Sequence, residues 1–396
     1  MQQTADYYAS LLETQGSAQP GRVAIACRED GIETTGPHDL ADLAAQILER
    51  LTVTAVIVAV PAQPYPSLLL RRAQPGSGCI APRDSESRSV LHDIPLIATP
   101  HASGLPAAIV SALARRKGCI IDTGCLVSQG ALTVEQAYIN WSSLYHAASI
   151  KYLDDLLQYG HLLPEEVVVA DQIRKRCMAL SDISPPAFRT GPFCDKAQIV
   201  AELAAVGQAT VRMGLVDSFF GNISYAGHDA CYISQTSARL DQLERQIDAI
   251  PFDNSSTAGI TASSELPAHQ AILAATGCRA ILHGHPLFSV VMSFFSSPTQ
   301  HPELDQICGI PVVGGEGGQG GMAQTLPRAF TLTGARSVIV RGHGVFSIGG
   351  DDFNEAFSGL MAVERRCREE YCRRLDVGHP PKYKKGRGYV PHPFCK

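Results

Sequence analysis

Charge is scarce in this chain of 396 residues: Asp, Glu, Lys and Arg make up 18%, and the formal net charge is −5. The basic residues are scattered, so the electrostatic footprint that a phosphate polymer or an anionic bilayer requires is missing, and neither nucleic acid nor membrane is an expected partner. No apolar run is long enough to span a bilayer. The most apolar stretch, Leu51 to Val60, is about half the needed length and is broken by Thr52, Thr54 and then Pro61, so it reads as a buried strand. The opening residues, MQQTADYYAS, lack a basic start followed by an apolar block, which reads as cytoplasmic. Cys-x-x-Cys is absent as well. The twelve cysteines are about 3% of a large chain and read as reduced packing residues rather than as a disulfide framework or a structural metal set.

What the chain has in quantity is apolar material, 45% of its residues, over a length that suits two domains with real cores. Together with the low charge fraction, this points to surface buried between subunits and hence to a homo-oligomer. The break falls where LSDISPPAFRTGPFCD combines paired prolines, glycine and serine without periodicity. The expected organisation is an N-terminal α/β domain over 1–180, a linker over 181–195, a second α/β domain over 196–378 and a basic tail over 379–396. Strands are expected at Val53 to Val60 and Cys119 to Ile121, and helices at Thr133 to Tyr159 and near Ala197 to Met213.

The halves echo one another. At a constant offset of 220, GCLVSQGALTVEQ lies over GVFSIGGDDFNEA, pairing Gly124 with Gly344, Gly130 with Gly350 and Glu135 with Glu355. Upstream, Ile94-Pro95 echoes Ile310-Pro311 and Leu105-Pro106 echoes Leu326-Pro327. On this alignment Thr123 stands where the second copy has His343, so the first copy reads as one that has lost its chemistry.

The chemistry-bearing residues cluster in the second half. SSELPAHQAILAATG (263–277) has the grammar of a helix, with Ser263 or Ser264 as cap, Glu265 in the first turn and Gly277 as stop. CRAILHGHP follows, a buried strand ended by Pro286, on which His283 and His285 sit two apart and point the same way. A second apolar strand, SVIVRGHG, delivers His343 between two glycines that let backbone approach a ligand closely. Three imidazoles on strand ends suit a three-coordinate metal site with an open position. Asn222 after Gly221, the Thr236-Ser237 turn and the paired serines offer donors for a phosphate or carboxylate. The glycine-rich loop GIPVVGGEGGQGGMAQTL lacks the Gly-Lys-Ser/Thr of a Walker loop, and Glu316 within it is a candidate second acid.

GNIS, ISQTS, SSE, HGH and RGHG, in that order, resemble the class II aldolase/adducin family over about residues 195 to 378. The resemblance implies an α/β/α layered domain around a mostly antiparallel sheet, commonly assembled as a ring of subunits with the site at a subunit boundary. It implies a divalent metal, usually zinc, on His283, His285 and His343, with Glu265 as acid/base. It also implies an anion pocket from Asn222, Thr236, Ser263 and Ser264, which the turn residue Ser237 would join. The family's Thr-Pro-Ser/Thr-Gly turn here reads Ser234-Gln235-Thr236-Ser237, without its Pro and Gly. Tyr383 and Tyr389 are candidates for the proton-donating tyrosine of the aldolases. The implied reaction is zinc-dependent cleavage or formation of a carbon–carbon bond in a small hydroxy-keto sugar phosphate. A decarboxylase of a keto acid or a 4-epimerase comes next, and an adducin-like binding protein is the alternative of a different class. The Glu of Ser-Ser-Glu ranks aldolase above epimerase, whose members carry Asp there.

Overall fold

A computed structural model describes residues 1–73, 78–98, 104–179, 183–217, 219–253, 255, 257–301, 304–314 and 321–377. The chain divides into two compact units, Met1–Pro164 and Glu165–His379.

The first unit contains helices α1 (Gln2–Thr14), α2 (His38–Leu48), α3 (Tyr65–Arg72), α4 (Ser85–Leu91), α5 (Leu105–Leu113) and α6 (Val134–Tyr159). Its strands are β1 (Ala18–Arg28), β2 (Ile32–Thr35), β3 (Ala55–Pro61), β4 (Cys79–Ile80), β5 (Ile94–Ile97), β6 (Gly118–Ile121) and β7 (Leu126–Gly130). They form one sheet in the order β2-β1-β3-β7-β6-β5-β4, antiparallel except for β5 with β6. The run Ala55–Ala59 is buried throughout, because helices cover both faces of the sheet. Leu40, Ala44, Ile47 and Leu48 of α2 and Ile109 and Leu113 of α5 pack over Val56, Val58, Cys119 and Val127 on one face. On the other, Leu144 of α6 lies against Gly118, with α3 beside it.

The second unit contains α7 (Glu166–Ala179), α8 (Lys196–Arg212), α9 (Leu266–Thr276), α10 (Leu287–Ser293), α11 (Gly321–Thr333) and α12 (Asn354–Val377). Its strands are β8 (Asn222–Ala226), β9 (Ala230–Ser234), β10 (Ile247–Pro251), β11 (Ala280–Gly284), β12 (Ser297–Pro298), β13 (Asp305–Ile307), β14 (Ile310–Val313), β15 (Ser337–Val340) and β16 (Gly344–Gly349). The sheet runs β10-β9-β8-β11-β16-β15-β14-β13-β12, antiparallel except for β14 with β15. Ile272 of α9 and Leu326 and Phe330 of α11 cover Ile233, Ile281, Val338 and Phe346. Helices α10 and α12 take the opposite face, where Leu360 approaches Gly284. Each unit is thus an α/β/α layered domain with a mostly antiparallel sheet, as expected.

The strand order β2-β1-β3-β7-β6-β5-β4 repeats as β9-β8-β11-β16-β15-β14-β13, with the same sense at every pair and the one parallel step in the same place. Pro95 faces Cys79 as Pro311 faces Gln306, so the Ile-Pro echo occupies equivalent positions. The Leu-Pro echo does not: Leu105 opens α5, whereas Pro327 lies inside α11. Register also corrects the alignment by one residue. Ser337 pairs with Ser347 as Gly118 pairs with Ser128, an offset of 219, and this sets Gly124, not Thr123, opposite His343. Ala280 pairs with Gly349 as Ala55 pairs with Gly130, which sets Val58 and Val60 opposite His283 and His285.

Helix α7, which the sequence expectation assigns to the first domain, falls in the second unit, where Arg174 pairs with Asp376 of α12 at 2.7 Å. The proline-rich stretch is strapped to that unit rather than free: the Phe188 N–H donates to Asn354, that of Arg189 to Glu202, and that of Phe193 to the Tyr225 hydroxyl. Among the described residues, ten cysteines are free thiols, most of them buried; Cys79 is disulfide-bonded, which corrects the expectation there. Among the described residues, no helix is long and apolar enough to cross a membrane.

Candidate active site

The site lies at one end of the second sheet, where β8, β11 and β16 run side by side. Asn222 pairs with His283, and His283 with Phe346, so the three form a row across the strands. Gly221 turns the chain into β8 with φ 77°, and a Cβ there would lie 2.4 Å from the His283 carbonyl oxygen. This explains the glycine of GNIS as a close-approach residue.

The three histidines converge. The Nε2 atoms of His283 and His285 are 2.8 Å apart, and the ring centroids of His283, His285 and His343 are 4.6 to 5.0 Å from one another. One ligand atom from each ring lies within 4.8 Å of the other two, and all three residues are buried. The His283 Nδ1–H donates to the Val345 carbonyl at 3.0 Å, which fixes the tautomer and leaves Nε2 as the lone pair aimed at the centre. Phe346 stacks on the same ring at 3.9 Å. Gly344 makes the convergence sterically feasible. A Cβ there would stand 2.5 Å from the Gly284 oxygen, 2.8 Å from His283 Cε1 and 3.0 Å from His285 Cδ2.

The donor set fits a divalent ion such as zinc. Tetrahedral Zn–N bonds of about 2.0–2.1 Å separate ligand nitrogens by about 3.3 Å, a spacing these rings reach with small adjustments, and three nitrogens leave one corner open. Burial pushes the His283 imidazole down to about 4, against the pull of Glu265, so the ring is neutral and able to ligate near pH 7.

Glu265 fills the corner beside the three rings. It caps α9 rather than sitting in its first turn, and the Ser263 hydroxyl accepts its backbone N–H at 3.3 Å. Its Oε1 accepts from His343 Nε2 at 2.9 Å, and its Oε2 lies 3.4 Å from His283 Nε2. Burial alone would raise this carboxyl. The His343 N–H and the Asn222 amide, which both donate to it, work against burial, and the carboxyl lies below the usual carboxylate range. The second arm of this corner, Asn222 Nδ2, donates to Oε2 at 2.7 Å. Asn222, expected in the anion pocket, therefore sits against the carboxylate.

The other expected anion ligands gather at a neighbouring turn. An isolated bridge joins Gln235 to Ala262, the Thr236 hydroxyl donates to the Ala262 carbonyl at 2.8 Å, and the Ser263 N–H donates to the Ser234 carbonyl at 3.0 Å. Thr236, Ser237 and Ser264 are exposed there, and Ser263 is buried. Ser237 holds the left-handed backbone (φ 59°) in place of the family's glycine, a conformation that costs a non-glycine residue about 1 kcal/mol or more. The turn survives the loss of its Pro and Gly. Glu316, Tyr383 and Tyr389 lie outside the described residues. Sequence reasoning missed one residue of this centre, His269, which is fully buried one helical turn beyond Glu265.

Residues 201–371 match the family described as Class II Aldolase and Adducin N-terminal domain. The chain thus carries a class II aldolase/adducin domain. Among solved structures, the chain is similar to an L-fuculose-1-phosphate aldolase from Thermus thermophilus, with 23% identity over 48% of this chain and 100% of that one, at a TM-score of 0.40. It is also similar to a sugar-phosphate aldolase from Thermotoga maritima (18% identity, 47% and 98% covered, TM-score 0.34). A third is the N-terminal class II aldolase domain of a Thermoplasma acidophilum protein (13%, 49% and 98%, TM-score 0.31). A comparison with curated proteins gives no match.

Proposed function

We propose that the second unit is a divalent-metal-dependent lyase of the class II aldolase type, which cleaves or forms a carbon–carbon bond in a small hydroxy-keto sugar phosphate. The observation that carries this reading is the convergence of three buried imidazoles beside one buried carboxylate. His283, His285 and His343 would hold the ion, zinc being the best match to three imidazoles. When bound, the metal would supply Lewis-acid polarisation of the substrate carbonyl.

The protein's own groups do the rest. Glu265 is ionised and stands at the open corner, where it takes the proton released in one direction and returns it in the other. Phe346 and Phe220 stack on His283 and His285, holding the rings and excluding water from their outer faces. The turn of Thr236, Ser237, Ser263 and Ser264, exposed except at Ser263, lies next to this corner and would take the substrate's anionic end. The same centre would serve a β-keto acid decarboxylase or a 4-epimerase, and Glu rather than Asp at residue 265 favours the aldolase. An adducin-like scaffold has no use for three convergent imidazoles. We further propose that the first unit is a degenerate, non-catalytic copy of the same fold, that the protein works as a cytoplasmic homo-oligomer, and that the ring of the family closes with fewer of these two-domain chains.

The test is to load the protein with zinc and screen hydroxy-keto phosphates and β-keto acids for aldehyde and CO₂ release. Aldehyde release from a phosphorylated ketose is expected. Release of CO₂ alone would replace the aldolase with the decarboxylase, and no turnover of either class by a metal-loaded protein would remove the enzyme reading.

A further inference from the structure

Behind the carboxylate, on the side away from His343, four side chains form a frame between β8 and α9. Asn222 and Ser224 stand two apart on the strand and share a face, and Glu265 and His269 stand four apart at the start of the helix and share a face. The two spacings match, at about 6.7 Å along a strand and about 6 Å along a helix, so the residues meet pairwise. The Ser224 hydroxyl lies 2.6 Å from His269 Nδ1, His269 Nε2 lies 2.5 Å from Asn222 Oδ1, and Asn222 Nδ2 lies 2.7 Å from Glu265 Oε2.

Each contact has only one workable polarity. The Asn222 Nδ2 group donates to Glu265 Oε2, which turns the amide oxygen toward the His269 ring. That oxygen can only accept, so the ring proton sits on Nε2. A neutral imidazole protonated at Nε2 leaves a lone pair on Nδ1, and the Ser224 hydroxyl donates to it. His269 is fully buried, and burial pushes its imidazole down to about 3, in keeping with a ring that stays neutral. Phe346, which stacks on His283, meets the His269 ring edge-on at 5.7 Å, so the metal ligand and this frame share one aromatic wall.

We propose that His269 is a positioning residue: its Nε2–H locks the Asn222 amide in the orientation that donates to Glu265, and Asn222 thereby aims the carboxylate at the open corner of the metal site. The sequence resemblance gives Asn222 to the substrate's anion; the frame gives it to the acid/base residue. The kinetic consequence rests on the proposed role of Glu265, but the tautomer does not.

Two measurements on the zinc-loaded full chain test this. The first is the nitrogen NMR spectrum of protein labelled with ¹⁵N-histidine, with the His269 signals assigned by their loss in His269→Gln. A neutral ring protonated at Nε2 is expected, and a ring protonated at Nδ1, or at both nitrogens, overturns the proposal whatever the protein's reaction. The second compares His269→Leu, which keeps bulk without a donor, with His269→Gln, whose amide N–H reaches the position of Nε2. The Leu variant is expected to retain zinc and to lose about 10–100-fold in kcat, the cost of a supporting contact, with KM within about 2-fold, and the Gln variant to recover most of the loss. Equal losses in both variants, or none in the Leu variant, would overturn it. If no substrate turns over at all, the lyase reading fails and the tautomer alone decides the frame.

Discussion

The two halves of this chain share a strand order, a strand sense and a register, yet among the described residues only the second brings three buried histidines together. At the positions of His283, His285 and His343 the first unit carries Val58, Val60 and Gly124. Its β3 is closed by apolar packing where β11 ends in imidazoles, and Val58 belongs to the core that α2 and α5 cover. The fold thus needs none of these three imidazoles, since the same sheet is built with Val58, Val60 and Gly124 in their places. Keeping them is costly, because buried imidazoles and a buried carboxylate each lose solvation and must be compensated by one another.

The contrast is broken most severely by removing the ligands. His283→Ala or His343→Ala should leave a folded protein that holds no metal after zinc loading and desalting and shows no detectable turnover. Retained metal in either variant would show that the imidazoles do not share an ion. Glu265→Gln keeps shape and burial and removes the proposed base. It should bind zinc normally and lose about 10²–10⁴-fold in kcat, and a fully active Gln variant would exclude Glu265 from the chemistry. Gly344→Ala forces a methyl group against two of the rings, and zinc affinity should fall by about 10–100-fold. Unchanged affinity measured by chelator competition would mean that the rings adjust freely.

A subtler difference appears with pH. His269 titrates near 6.5 when unfolded and about 3 when folded, because burial opposes its charge, and His283 moves the same way to about 4. The native state therefore binds fewer protons than the unfolded state between these values. This contribution to stability is fully present above about pH 6.5 and is lost as pH falls toward the folded values. Urea unfolding of the metal-free protein should show stability declining from about pH 6.5 to about pH 5, with a shallower slope for His269→Gln, and equal slopes would contradict the burial argument. The smallest effect is expected in the first unit, where Thr123→Ala should change neither metal content nor turnover.

Much of this was legible in the sequence because the candidate metal ligands sit in motifs whose spacing carries geometry. His283 and His285 share a strand face through a period of two, and His343 stands between glycines at a strand end, so their meeting needs only the sheet order. His269 was not legible: a lone histidine in an apolar helix reads as core, and its meaning depends on β8 lying beside α9. The usable signal was Glu-x-x-x-His matched to Asn-x-Ser. The repeat was visible but one residue out of register. The helices α6 and α12 keep the offset of 220 through Glu135 and Glu355, while the strands before them keep 219, so one extra residue lies in the connection. The unit boundary was misplaced for a physical reason too. Prolines mark where regular structure stops, whereas packing of α7 on α12 decides which core a helix joins.

The most direct measurement is the number of divalent ions per chain, determined by elemental analysis of the intact protein after zinc loading and removal of loosely bound metal. One ion per chain is the expected value. A metal-free protein would dissolve the centre in the second unit, and two ions per chain would show that the first unit had not lost its own.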